Sequence, residues 1–112
     1  MKSTNKYGAK KTIVGKIVFD SKDEAERYAE LKLMQRQGLI SELIVHPRYE
    51  LIARQNDERA AYYSADFEYM ENDKRIVEDV KSSATAKIPD YILRRKLFKQ
   101  RYPDIVFREI IM

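Results

Sequence analysis

The sequence contains no cysteine, a single histidine and only three glycines and three prolines in 112 residues. Without thiols there are no disulfides and no thiolate metal sites. One histidine argues against paired-histidine metallohydrolases, and the absence of cysteine argues against thiol nucleophiles. The glycines, at positions 8, 15 and 38, are too scattered to build a phosphate-cradling loop. No apolar run approaches the roughly 20 residues needed to span a bilayer. The polar, basic segment 1–11 has no apolar centre of the kind a secretory signal requires. These absences lead to the expectation of a cytoplasmic protein with no membrane partner.

A hydrophobic content of 44% over 112 residues suits one compact domain with one modest core. We assign 1–11 as a flexible basic arm and 12–112 as the domain. The net charge of +4 hides a pattern. Residues 1–16 hold five lysines and no acid, and residues 81–102 hold seven lysines or arginines against Asp90 alone. The stretch 20–79 holds fifteen acids against nine bases. Basic ends around an acidic middle suit a protein that grips a polyanion near clustered carboxylates, although a basic isoelectric point is also common in small proteins with scattered lysines.

Thr12 to Phe19 is β-rich and broken by Gly15, which predicts a short hairpin. Ser21 and Glu24 have the spacing of a capping box, opening a helix that runs to about Gln37 and stops at Gly38. Leu43 to Ala53 reads as extended and bent at His46-Pro47, followed by a charged loop, Gln55 to Arg59. Ala60 to Tyr69 and Arg75 to Ser82 read as strands joined by a tight turn over 71–74. Pro89 to about Arg101 reads as a second helix, and Ile105 to Ile111 as a largely buried final strand. The order is helix, three strands, helix, strand, after an N-terminal hairpin.

If Asn72-Asp73 is a two-residue turn, the ladder pairs Glu71 with Lys74, Tyr69 with Ile76, Phe67 with Glu78, Asp66 with Asp79 and Ser64 with Lys81. Asp66 and Asp79 then stand opposite each other with Lys81 on the same face. The other face carries Ala65, Phe67, Tyr69, Ile76 and Val80, broken only by Glu78. Opposed like charges are destabilising unless offset, and a divalent cation with hard oxygen ligands offsets them directly. A solvated face on which Lys81 relieves the aspartates through surface ion pairs, each worth under about 1 kcal/mol, accounts for the same spacing. Glu24 lies near Tyr28 and Leu31, beside an apolar stripe with Ala25 and Ala29. It therefore either points toward the hairpin or serves only the capping box.

Asp66 followed by Asp79-Val80-Lys81, with Glu24 upstream on a helix, resembles the signature of the PD-(D/E)XK nuclease superfamily. The segments Lys6-Tyr7-Gly8, Phe19-Asp20-Ser21-Lys22, Glu24-Ala25, Arg27-Tyr28, Ala65-Asp66-Phe67 and Glu78-Asp79-Val80-Lys81, with Tyr91 and Arg95-Lys96-Leu97, resemble one small family within it. That family consists of short phage and prophage proteins of uncharacterised function. Ala65 departs from the proline that gives the motif its name, Asp79 precedes the lysine where Glu is also allowed, and His46 stands where a Gln is expected.

The resemblance implies an α/β, restriction-endonuclease-like αβββαβ core, with a mixed central sheet flanked by helices. It implies metal-dependent hydrolysis of DNA phosphodiesters in a bacterial host cell. Asp66, Asp79 and the backbone carbonyl of Val80 would bind Mg²⁺ or Mn²⁺, and Glu24 would complete the metal shell or position the water. Lys81 would orient or help deprotonate that water and stabilise charge on phosphorus. Lys10, Lys11, Lys87, Arg94, Arg95, Lys96 and Lys99 would hold the DNA backbone. A resolvase-like enzyme on double-stranded or branched DNA, working as a homodimer, is the first expectation. A non-catalytic DNA-binding or assembly module on the same fold is the rival; the presence of all four of Glu24, Asp66, Asp79 and Lys81 favours the enzyme.

Overall fold

The computed structural model describes residues 11–112, so of the expected basic arm only Lys11 falls within it, and Lys10 lies outside the described residues. Strands β1 (Thr12–Val14) and β2 (Ile17–Phe19) form the expected hairpin, turning at Gly15 with φ +62°. Helix α1 (Lys22–Arg36) starts as its sequence dictates: the Ser21 hydroxyl accepts the Glu24 N–H at 3.1 Å. The return bond of a capping box goes one residue further out, from the Asp20 N–H to Glu24 Oε2 at 3.0 Å. At the other end Gly38, at φ +80°, closes the helix with bonds from its own N–H to Gln35 and from Leu39 N–H to Met34, the paired closure that a left-handed residue allows. The buried face of α1 runs through Glu24, Ala25 and Leu31, with Tyr28 and Met34 partly covered; Ala29, expected on this stripe, is exposed.

The expected three-strand run is longer than the sequence pattern indicates, because two of its strands break at a shared bend. The first becomes β3 (Ser41–Val45) and β4 (Arg48–Ile52), and the second β5 (Ala61–Ser64) and β6 (Phe67–Glu71). β3 pairs with β6 and β4 with β5, so one long antiparallel ribbon folds over at His46-Pro47 and Ala65-Asp66. Pro47 has no N–H to give a ladder, and His46 takes φ +56°, so this segment cannot continue as regular strand. Cross-bonds from His46 N–H to the Asp66 carbonyl and from Ala65 N–H to the Pro47 carbonyl hold the bend.

β7 (Lys74–Lys81) returns from β6 through Asn72 and Asp73, at φ 50° and 63°, the left-handed pair of a type I′ turn. The register is the expected one for Glu71 with Lys74, Tyr69 with Ile76 and Phe67 with Glu78, but the ladder ends there: the bend takes Asp66 out of it, and Ser64, expected opposite Lys81, pairs with Arg48. After a short 3₁₀ turn at Thr85–Lys87, helix α2 (Pro89–Arg101) crosses back, with Pro at its first position. Strand β8 (Val106–Ile111) then joins β7 in parallel, giving a mixed sheet of order β3-β6-β7-β8. As an edge strand β8 is half-buried and not largely buried as its composition suggests.

The two faces of the sheet carry separate clusters. Phe19, Ala25, Leu31, Ile40, Phe67, Tyr69, Ile76 and Val80 pack under α1. Leu51, Tyr63, Ala65, Val77, Tyr91 and Phe98 pack under α2. Ala65, expected with Phe67 and Tyr69, lies in the second cluster because the bend interrupts the alternation of side chains. Glu78 sits fully buried in the α1 face, where the Arg27 guanidinium grips both its oxygens at 2.5 and 3.0 Å and the Tyr69 hydroxyl donates at 2.6 Å. Removing one member of such a pair leaves an uncompensated buried charge, which costs about 3–5 kcal/mol. Arg27→Ala is expected to lower stability by that amount in urea unfolding, whereas Arg27→Met combined with Glu78→Leu should lose much less; a single variant within 1 kcal/mol of wild type, on the order of a surface pair, would contradict this account.

Candidate functional site

The bend in the ribbon positions the site. Asp66 falls at the point where the chain leaves the ladder, and its N–H and its carboxylate both face β7 while its carbonyl faces His46. Its N–H reaches the Glu78 carbonyl at 3.2 Å and Asp79 Oδ1 at 3.0 Å. Its Oδ2 accepts the Val80 N–H at 2.7 Å. Each aspartate is thus held by the other's strand, and two like charges are kept side by side. The Lys81 carbonyl accepts from Met112 N–H on the β8 side. By the alternation of a strand the Val80 carbonyl therefore points the other way, toward the bend.

Glu24 approaches from the first turn of α1. Its Oε2 is used by the Asp20 N–H, but its Oε1 is buried without a hydrogen-bond partner. Glu24 is 4% exposed, and its pKa is pushed up to about 9 by burial first and then by the neighbouring Asp66 carboxylate. Asp79, 1% exposed, also leaves one oxygen, Oδ2, unpartnered. Burial pushes its pKa up to about 6 against the opposing pull of Lys81 and the Asp66 N–H, with Glu109 on the neighbouring strand adding to the rise. The four expected residues therefore form a chain of neighbours, Glu24 with Asp66, Asp66 with Asp79, and Asp79 with Lys81.

Lys81 is steered from α2, its ammonium lying 4.6 Å from the centre of the Tyr91 ring. The Tyr91 hydroxyl donates to the Glu109 carboxylate, which also meets Arg95 at 3.2 Å. Glu109 escaped the sequence reading because only the parallel register, Asp79 beside Glu109, brings β8 to the site. His46 likewise had no assigned role, yet its Nε2 stands 3.7 Å from the orphaned Glu24 oxygen. The bend at His46-Pro47 was the available signal for it.

The donor set would suit a hard divalent cation: carboxylate oxygens, a backbone carbonyl, no thiolate, and two buried oxygens without a hydrogen-bond partner. Among the described residues no three His, Asp or Glu side chains already close into a metal cage. Mg²⁺ does not need one, since it is held by one or two carboxylates and keeps several waters or substrate oxygens.

The basic residues expected to hold a polyanion divide into two groups. Arg94 is tied to Asp90 and to the Tyr62 carbonyl, and Arg95 to Glu109. Lys11, Lys87, Lys96 and Lys99 are exposed, with the Lys99 ammonium over the Phe107 ring at 5.3 Å. Among the described residues no helix is long and apolar enough to cross a membrane.

The chain is a member of the family described as protein of unknown function (DUF1064), whose model matches residues 4–112. No curated protein and no solved structure matches the chain.

Raised carboxylate pKa values have a consequence for the metal-free protein. The folded state binds protons more tightly than the unfolded chain, from 4.5 to about 9 for Glu24 and from 3.8 to about 6 for Asp79. Stability is therefore greatest below these windows and falls as pH rises through them. Asp79→Asn and Glu24→Gln, which keep the hydrogen-bonding shape and remove the charge, should each raise the melting temperature by several degrees at pH 8 in chelator. Thermal melts across pH 4–9 test this, and variants that melt lower than wild type at pH 8 would contradict it.

Proposed function

We propose that this protein is a metal-dependent DNA endonuclease of the PD-(D/E)XK type. The observation that carries the reading is the pair of buried, unpartnered carboxylate oxygens on Glu24 and Asp79, joined through Asp66 and flanked by Lys81. A cluster of this kind is costly unless something cationic fills it. Bound Mg²⁺ or Mn²⁺ would supply Lewis-acid charge to a phosphodiester oxygen and acidify a water.

The chain's own groups have separable tasks in this scheme. Asp66 and Asp79 hold the cation with the Val80 carbonyl, their orientation fixed by the bonds to each other's strand. Glu24 closes the site from α1 and takes a proton when no cation is bound. Lys81, steered by the Tyr91 ring, directs its ammonium at the phosphate and at the attacking water, where positive charge is needed as negative charge builds on phosphorus. Branched DNA, met in phage recombination or replication within the host cytoplasm, is the substrate class we place first, with a homodimer matching its symmetry.

Purified protein is expected to nick or cut branched and flapped DNA in Mg²⁺ or Mn²⁺ and not in chelator. Asp79→Ala and Lys81→Ala should each reduce the rate by about 10²–10⁴-fold. Binding of DNA without cleavage across substrates and metals would overturn the enzyme and favour a non-catalytic module.

A further inference from the structure

The arginines of this protein fall into two classes. Arg27, Arg75, Arg94, Arg95, Arg101 and Arg108 each meet a carboxylate within the fold. Arg36, Arg48, Arg54 and Arg59 are exposed, and among the described residues none of the four has a carboxylate within 4.0 Å. Arg36 stands apart at the end of α1; the other three are separated in sequence, yet the β4–β5 ribbon and the loop joining its strands gather them. Together with Glu50, Ala60 and Tyr62 they line one groove of about 550 Å³.

The chemistry of the groove is specific. The Arg48 guanidinium stacks over the Tyr62 ring at 4.1 Å, and Tyr62 is 38% exposed. Its backbone is fixed from α2 by the Arg94 bond to its carbonyl at 2.7 Å. The acid in the lining, Glu50, already meets Arg101 at 3.1 Å, so its charge is answered from α2 and does not cancel the arginines. The result is a flat guanidinium–phenol platform beside two further guanidinium groups. Planar platforms of this kind accept an unpaired base, while arginines accept phosphate oxygens.

Position ties this groove to the carboxylates. Arg48 follows Pro47 at the bend and pairs in register with Ser64, two residues before Asp66. The ribbon of β4 then extends about 17 Å from the bend at roughly 3.4 Å per residue.

We propose that the β4–β5 groove binds a single-stranded segment of DNA, with a base on the Arg48–Tyr62 platform and phosphates on Arg54 and Arg59, and leads that strand to the carboxylate site. This deepens and rests on the nuclease reading, and it moves the principal nucleic-acid contact from the α2 basic residues to the ribbon.

The test uses the full chain carrying Asp79→Asn, in chelator, so that cleavage plays no part. Fluorescence anisotropy with labelled oligothymidine and with a blunt duplex of the same length reads affinity over a salt series. Arg54→Ala/Arg59→Ala should weaken oligothymidine binding at least ten-fold and flatten the log–log salt slope by about 0.7 for each phosphate the protein no longer neutralises. Tyr62→Ala should weaken it about five-fold or more, with Tyr62→Phe close to the parent. A triple variant, Lys87→Ala/Lys96→Ala/Lys99→Ala, should bind nearly as the parent does. Loss in the lysine variant with none in the groove variants would overturn the groove and leave the nuclease reading intact. Equal loss of single-stranded and duplex binding in Tyr62→Ala would overturn the base platform. Failure of the Asp79→Asn parent to bind any DNA would overturn both, and circular dichroism melts confirm that each exposed substitution leaves the fold in place.

Discussion

Two aspartates stand next to each other because each is anchored by the other's strand. The Asp66 N–H gives to Asp79, and the Asp66 carboxylate takes from the Val80 N–H. Charge-assisted bonds to backbone donors are among the stronger ones available to a carboxylate, and here they hold a pair that Coulomb repulsion would separate. The arrangement requires Asp66 to leave the ladder at the right residue, which is what the bend at His46-Pro47 and Ala65-Asp66 accomplishes. From that bend follow the second core cluster, the approach of Glu24 and the divergence of the β4–β5 ribbon from the main sheet.

The structure tolerates buried carboxylates in two ways, and the contrast between them is informative. Glu78 is fully buried, but Arg27 and Tyr69 satisfy both of its oxygens. Glu68 is treated likewise by Tyr49 and Arg75. Glu24 and Asp79 are buried as deeply and each keeps one empty oxygen. A fold able to supply arginine and tyrosine to its structural acids withholds them at this one cluster. Unpartnered buried acids with raised pKa values are a recognised mark of a functional site, where desolvation is tolerated for what the group must later do.

Much of this was legible in the sequence, for identifiable reasons. The two-residue turn at Asn72-Asp73 set the β6–β7 register, because only residues that accept positive φ make a type I′ turn. That register brings Asp66 up to Asp79, with Lys81 beyond; the bend, just past the end of the ladder, fixes how the two aspartates meet. Ser21, Glu24 and Gly38 set both ends of α1 by local capping. Long-range consequences were less visible. Nothing local says that Arg27 will reach Glu78 across 51 positions, or that parallel pairing will set Glu109 beside Asp79. The bend at His46-Pro47 was readable, but its effect on the facing strand was not, so Ala65 appeared on the wrong side. Arg94 and Arg95 look like polyanion contacts in a basic segment and turn out to be bonded internally; Arg48, Arg54 and Arg59, in a stretch of net acidic composition, are exposed and line one groove.

On the proposed reading, Glu24, Asp66 and Asp79 form a divalent-cation site. Direct titration of the metal-free protein with Mn²⁺, followed by electron paramagnetic resonance and by proton release at constant pH, tests it without reference to any substrate. Saturable binding is expected at pH 7.5, competed by Mg²⁺ and accompanied by release of the proton that Glu24 otherwise holds, because ligands must be deprotonated to bind. Asp79→Asn should abolish the binding and Glu24→Gln the proton release. No saturable Mn²⁺ binding by the wild-type chain, or binding undiminished in Asp79→Asn, would contradict it.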